Sequence, residues 1–257
     1  MEAMATQSVC PKCGGSGWII VERANLSGAE PCDCRFQGRT ERMEERAQIP
    51  PLYRRASFDN FSVPEDAYYA QALKLVMNHV RRYVEDFPNE SRPGLLLVGE
   101  QGTGKTHLAV AALRRIVEKG FDCLFWDYKN LLDRIRSGYD ANSHSADREA
   151  YREALEAPVL LLDDLGAHRV TDWVEDTVTS IVTYRCNNRL PLIATTNLPD
   201  PDAGSVVMQR SDLGHPEYRR TLADYIGARA RSRLFEMCTV IKMPYDADYR
   251  LRKARTT

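Results

Sequence analysis

No stretch of about 18 consecutive apolar residues occurs in the chain, which excludes a membrane-crossing helix of ordinary length. The opening residues also lack the charged-then-apolar pattern of an export signal, so the sequence predicts a cytoplasmic protein with no membrane partner. Neither sign of charge is in excess: 35 basic side chains stand against 36 acidic ones. A chain so balanced sets up no broad positive field for nucleic acid, and any such contact must be local. What the chain does have is length, since 257 residues with 43% hydrophobic side chains suffice for one sizeable core and a small appendage.

Cysteine is scarce except at one end. Four of the seven fall in the first 34 residues, as Cys10-Pro-Lys-Cys13 and Cys32-Asp-Cys34, while Cys123, Cys186 and Cys238 sit among apolar neighbours and read as core residues. Between the two pairs, Gly14, Gly15, Gly17 and Gly28 surround one short apolar run, Trp18 to Val21. That pattern predicts a hairpin pinned at its base. Disulfides would suit an oxidising compartment; four thiolates in two close pairs suit tetrahedral Zn²⁺, whose binding would drive folding of so small a segment. Four sulfur ligands would leave the metal no open position, so the expected role is structural.

Residues 35–48 are dense in charge of both signs and predict a solvated helix or spacer, closed by Ile49-Pro50-Pro51. This sets an expected boundary between a region 1–48 and a domain 49–257. Arg54 to Phe61 mixes aromatic and polar groups that could wall a base-binding pocket. Tyr69, Leu73, Val76, Val80, Tyr83 and Phe87 recur at helical spacing and predict an amphipathic helix packed on a sheet.

The chemistry begins at Leu95. A short apolar strand, Leu95 to Val98, runs into Gly99-Glu100-Gln101-Gly102-Thr103-Gly104-Lys105-Thr106, which satisfies GxxxxGK[ST] directly before a predicted helix that opens on His107 and ends near Lys119. In such a loop Gly99, Gly102, Thr103, Gly104 and the residues at the helix start, His107 included, surround the nucleotide phosphates. The glycines let backbone N–H groups close on the anion and the helix N-terminus supplies a favourable dipole. Lys105 then contacts the terminal phosphates and Thr106 ligates Mg²⁺. A second apolar strand, Val159 to Leu162, ends in Asp163 and Asp164. Asp163 is expected to hold Mg²⁺ and Asp164 to orient the attacking water; the second position carries Asp where Glu, one methylene longer, is common. These two motifs together predict ATP binding and hydrolysis.

Cys123 to Trp126, Leu192 to Thr195 and Thr239 to Met243 supply three more strands, with helices between them. The alternation predicts an α/β fold with a five-stranded parallel sheet covered on both faces. Asn197, at the end of the fourth strand, stands where a water-positioning amide would sit. Gly227 to Phe235 reads as a helix carrying Arg229, Arg231 and Arg233, either a solvated basic face or the source of an arginine finger. Arg250 is a second candidate for a nucleotide-sensing cation.

Across nearly its whole length the sequence resembles the bacterial DnaC/DnaI-type replicative helicase loaders and the related IstB-type transposition ATPases. The resemblance rests on CPKCGGSGW with PCDC, FDNF, GEQGTGKTHLA, LLLDDLG, YRCNNRLPLIATTNL, SRLFEMCTVIKM and the closing DYR. It implies an AAA+ core with no separate lid domain, and a homo-oligomer in which each ATP site is completed by the next subunit. Arg233 then takes the arginine-finger place, Arg250 the sensor 2 place and Asn197 the sensor 1 place. It also implies contact with single-stranded DNA, at the matching positions Tyr139, Thr171 and Trp173, each of which could equally be an ordinary surface or core residue. Residues 141–147 form a polar, insert-like loop beside the first of these.

Three functions compete. A helicase loader would grip a hexameric replicative helicase through its N-terminal segment and use ATP to control helicase deposition on DNA at the start of replication. A transposition regulator would assemble on DNA and recruit a transposase. A protein-remodelling ATPase is the third, but no substrate-handling pore motif or lid is evident. The four-cysteine knuckle and charged segment favour the loader.

Overall fold

The computed structural model describes residues 10–23, 26–64, 66–89, 91–138, 145–168, 170–210, 216–245 and 249. A hairpin of β1 (Trp18–Arg23) and β2 (Leu26–Pro31) opens the chain, pairing Trp18 with Pro31 and Val21 with Gly28. It leads through Cys32 into α1 (Asp33–Arg46). After a one-turn helix at Pro51–Tyr53 comes α2 (Ala67–Glu85), capped by the Asp66 carboxylate on the Tyr69 N–H. The nucleotide domain then runs β3 (Gly94–Val98), α3 (Lys105–Glu118), β4 (Cys123–Asp127), α4 (Tyr128–Ser137), α5 (Ser145–Glu156) and β5 (Val159–Asp163). It continues with α6 (Asp172–Asn187), β6 (Leu192–Thr196), a small hairpin of β7 (Met208–Arg210) and β8 (Pro216–Tyr218), α7 (Leu222–Ile226), α8 (Ala228–Met237) and β9 (Cys238–Lys242).

The five predicted strands form one parallel sheet in the order β4-β5-β6-β3-β9. Because side chains alternate across a strand, each strand feeds two cores. Leu95, Leu97, Phe125, Leu161 and Ile193 face α1, α2 and α3, while Leu96, Val98, Trp126, Leu160, Leu162 and Ala194 face α4 to α8. A strand buried on both faces reads as an unbroken apolar run, which is why β3 and β5 were legible. The chain leaves β3 for the far edge at β4, returns through β5 and β6, and places β9 on the opposite side of β3. The crevice beyond the carboxyl ends of β3, β5 and β6 is where such a sheet binds ligands.

Two expectations need correction. The charged segment 35–48, expected as a solvated helix or spacer, is helical as far as Arg46 in α1 but is not fully solvated: Met43 and Ala47 are buried in the first core, and Arg114 of α3 pairs with Glu44 at 3.0 Å. The carbonyl of Ala47 also accepts from the Phe125 N–H (2.8 Å), so the end of α1 meets the outer edge of β4. Charge density signalled exposure, but Met43 and Ala47 are one helical turn apart and form a narrow buried stripe. The polar loop 141–147 is shorter than expected, since α5 begins at Ser145; residues 141–144 lie outside the described residues.

One buried polar group holds the second core together. Arg185 is fully buried and its guanidinium donates to the carbonyls of Ala154 and Leu155 (3.1 Å each) and of Pro191 (2.6 Å). It ties the end of α5 to the start of β6, and burial pushes its pKa down to about 9.

Candidate ATP site and cysteine knuckle

Leu52, Tyr53, Gly102, Gly104, Lys105, Thr106, His107, Asp127, Asp163, Asp164, Thr195, Asn197 and Tyr249 line a cleft of about 700 Å³. It lies over the N-terminus of α3, whose N-cap is Gly104 at φ 88°. No other residue fits there: a Cβ would require that left-handed φ and would stand 2.6 Å from the Phe61 ring. Phe61 also packs edge-on to His107, at 5.3 Å between ring centroids, and His107 Nε2 lies 2.9 Å from the Ser57 carbonyl. The segment Arg54 to Phe61 was expected to wall the cleft and does not line it: Leu52 and Tyr53, just before it, do so, while Phe61 backs the cleft by packing on His107.

Within the loop, Lys105 is buried and donates to the Glu100 carbonyl (2.7 Å), which Thr103 Oγ1 also reaches (2.8 Å). Thr103 thus shapes the loop from inside. Gly99 departs from the expectation that it touches the ligand. It does not line the cleft, and its lack of a side chain admits Met243, whose Cβ would be 2.7 Å from an added methyl.

Thr106 Oγ1 donates to Asp163 Oδ1 (3.0 Å), so the two expected Mg²⁺ ligands are already adjacent. The same oxygen accepts from Thr195 Oγ1 (2.6 Å), and Thr195 Oγ1 in turn accepts from the Asp164 N–H (2.9 Å). Burial pushes the Asp163 pKa up, the hydrogen bonds from Thr195 and Thr106 pull it down, and the charges of Asp164 and Asp127 add to the rise. Asp164 follows with φ 59°, a strained left-handed conformation for a non-glycine residue. That turn brings its Oδ1 to Asn197 Nδ2 at 2.5 Å. Asn197 therefore contacts Asp164, the carboxylate expected to orient water. Thr195 and Asp127 were missed. Thr195 was visible as the first residue of Thr-Thr-Asn; Asp127 carried no motif and enters the site only because β4 pairs with β5, Asp127 opposite Asp163.

At the other end, the sulfurs of Cys10, Cys13, Cys32 and Cys34 all lie within 4.8 Å of one another, with Cys10 to Cys32 at 3.8 Å and Cys13 to Cys34 at 3.4 Å. A thiolate tetrahedron around zinc has edges of roughly 3.8 Å, so the set fits one such ion. All four are free cysteines. The Gly17 N–H donates to Cys13 Sγ (3.3 Å), and the Gly14 N–H to the Cys10 carbonyl (2.9 Å). The Cys34 thiol beside it, with the Gly17 and Gly15 N–H groups, lowers the Cys13 pKa to about 6, while Cys34 itself is raised. One sulfur is thus poised as thiolate at neutral pH.

A family model described as "IstB-like ATP binding protein" matches residues 39–255. The chain belongs to that family. As an IstB-like protein it is 23% identical to the replicative helicase loader DnaC of Escherichia coli strain K12 over 179 residues, 68% of this chain and 70% of DnaC. Among solved structures, that of the DnaC helicase loader superposes with a TM-score of 0.59 at 31% identity, covering 76% of this chain and all of that one. The DnaI structure superposes at 0.56 with 21% identity, over 80% of this chain and 99% of DnaI, a likeness of fold. The protein is a DnaC-type AAA+ ATPase related to IstB, and it binds ATP.

Of the remaining expected residues, the three that the structure describes, Arg233, Thr171 and Trp173, do not line this chain's own cleft. Arg233, on α8, pairs with Glu236 at 2.7 Å on the surface. Thr171 caps α6, accepting from the Val174 N–H (3.3 Å). Trp173, in the first turn of α6, is half-buried against the second core, with the Arg136 guanidinium 6.0 Å from its ring. Tyr139 and Arg250 lie outside the described residues; Tyr249, just before Arg250, lines the cleft and its N–H reaches the Gly102 carbonyl (3.2 Å). Among the described residues no helix is long and apolar enough to cross a membrane.

Proposed function

We propose that this ATPase is a cytoplasmic helicase loader for the initiation of DNA replication. Its N-terminal knuckle grips a hexameric replicative helicase, and subunits joined through their ATP sites hold single-stranded DNA. What carries the reading is the 31% identity to the DnaC helicase loader over the whole of that chain, joined to a cysteine knuckle that precedes the family match. On one face of the knuckle hairpin, Trp18 and Ile20 are 47% and 77% accessible. They offer the apolar surface for the helicase.

Hydrolysis follows from the cleft. Lys105 exchanges the Glu100 carbonyl for the terminal phosphates and neutralises their charge, and Asp164, held by Asn197, orients the attacking water. Thr106 and Asp163 would hold Mg²⁺, which would supply positive charge to stabilise the phosphate oxygens. Arg233 reaches the γ-phosphate of the neighbouring subunit, consistent with its distance from its own cleft. The four cysteines would hold a structural zinc. Thr171 and Trp173, with Tyr139, are the proposed contacts to single-stranded DNA, where an aromatic face stacks on bases without reading sequence.

The test is capture of the replicative helicase in ATP by full-length protein, and its loss from Trp18→Ala/Ile20→Ser with ATP hydrolysis intact. The IstB-like family match keeps a second reading in view, a regulator that recruits a transposase. Capture of a transposase in place of the helicase would establish that reading and overturn the loader.

A further inference from the structure

Arg231 and Arg233 lie two residues apart on α8, so their side chains leave the helix in nearly opposite directions. Arg233 points to the surface. Arg231 points inward, to the loop that follows β6, and is bound there more heavily than any other described arginine outside the core. Its Nε donates to Asp200 Oδ2 (2.7 Å) and its Nη2 to Asp200 Oδ1 (2.6 Å), with a further bond to Asp202. Its guanidinium lies 4.3 Å from the Phe235 ring centroid. Asp200 has no exposed side-chain surface, and it also accepts from the Asp202 N–H (3.0 Å), closing the turn it begins.

The position of that turn gives the pair its meaning. Asp200 is three residues beyond Asn197, the amide that touches Asp164. The intervening Pro199 carbonyl is held by the Leu222 N–H (3.0 Å). Beyond α8 the chain enters β9 with no loop, and β9 pairs with β3, the strand that ends in the phosphate loop. The helix presenting Arg233 is therefore anchored at one end to the strand of the phosphate loop and along its side to the turn behind the water-orienting pair. A planar guanidinium bonded to both oxygens of a buried carboxylate fixes orientation as well as distance.

We propose that Arg231 is the positioning residue that ties Arg233, the cation offered to the neighbouring ATP site, to the turn behind this chain's own Asn197. The inference rests on the reading that Arg233 acts in trans. Through this tie, rearrangement of Asn197 and Asp164 around bound ATP shifts Asp200, and Arg231 carries the shift into α8. Each subunit thus adjusts the arginine it offers to its neighbour according to the nucleotide it holds.

The test compares Arg231→Ala, Arg231→Lys and Asp200→Asn with Arg233→Ala. Each is assayed for binding of a fluorescent ATP analogue and for steady-state hydrolysis, alone and mixed with Lys105→Ala under conditions where tagged and untagged chains co-purify. Arg231→Ala and Asp200→Asn are expected to bind the analogue within about twofold of wild type and to lose about tenfold in kcat with little change in KM. Hydrolysis should return on mixing, because the Lys105→Ala chain presents a correctly held Arg233 to the variant's intact phosphate loop. A chain that is merely unstable gains nothing from the mixture. Arg231→Lys keeps the charge over Phe235 without the paired bonds and should retain part of the activity; it and Asp200→Asn supply the readout if Arg231→Ala does not fold. Wild-type hydrolysis by Arg233→Ala would remove the trans reading itself. If Arg233→Ala is impaired and rescued by mixing, while the Arg231 and Asp200 variants either turn over normally or are impaired without rescue, the tie is wrong and the trans reading stands.

Discussion

Lys105 donates to the Glu100 carbonyl within the phosphate loop, and its ammonium is the cation that the loop offers to the terminal phosphates in the proposed mechanism. Lys105→Ala is expected to abolish tight ATP binding, whereas Asp164→Asn should bind ATP and fail to turn it over, as read by analogue titration and phosphate release. Equal, unimpaired turnover in both would refute the site. Thr195 supports a further prediction. Its hydroxyl donates to Asp163 and accepts from the Asp164 N–H, so Thr195→Val orphans a buried N–H and strips a donor from a buried carboxylate. A loss of about 1–3 kcal/mol in stability, with a fall in kcat, is expected from thermal melts and steady-state kinetics. The phosphate loop and the paired aspartates were legible because their chemistry is contiguous in sequence. Thr195 and Asp127 were not, since their roles exist only once β4, β5 and β6 lie side by side.

At the level of elements, the knuckle and α1 act on different parts of the molecule. Purified protein is expected to carry about one zinc per chain, lost when Cys10 and Cys13 are both changed to Ser, as metal analysis would show. The bond from Cys34 lowers Cys13 from the ordinary thiol range to about 6, so the folded knuckle favours the thiolate. Its contribution is complete only above the ordinary thiol range and is lost as pH falls through about 6; zinc, which competes with protons for the same thiolates, should be released on further acidification, as metal analysis across pH would show. The hairpin was readable from its glycines and cysteine pairs. The docking of α1 was not, because two apolar residues among many charges leave a weak pattern. Its consequence is measurable: removal of residues 1–31 should leave the melting temperature of the ATPase domain nearly unchanged. Removal of residues 1–48 takes away Met43, Ala47 and the Glu44–Arg114 pair and should cost about 2–5 kcal/mol.

For the whole molecule, the sheet order could be expected only from resemblance, since periodicity gives strands and not their neighbours. The observed order sets both the ATP crevice and the outward placement of Arg233. If assembled subunits hold single-stranded DNA, added DNA should stimulate hydrolysis by the wild type. Trp173→Ala should remove the stimulation while basal turnover persists; stimulation that survives would move the DNA path elsewhere. The same order leaves β4 at one margin of the sheet, with the Ala47 carbonyl resting on its Phe125 N–H. A bare strand margin is a template for pairing with other chains, and a helix end seated on it blocks the approach. The segment whose tip is proposed to meet a partner therefore also shields the domain from itself. Protein cleaved near residue 48 should go on to form self-associated, strand-paired aggregates that the intact chain avoids.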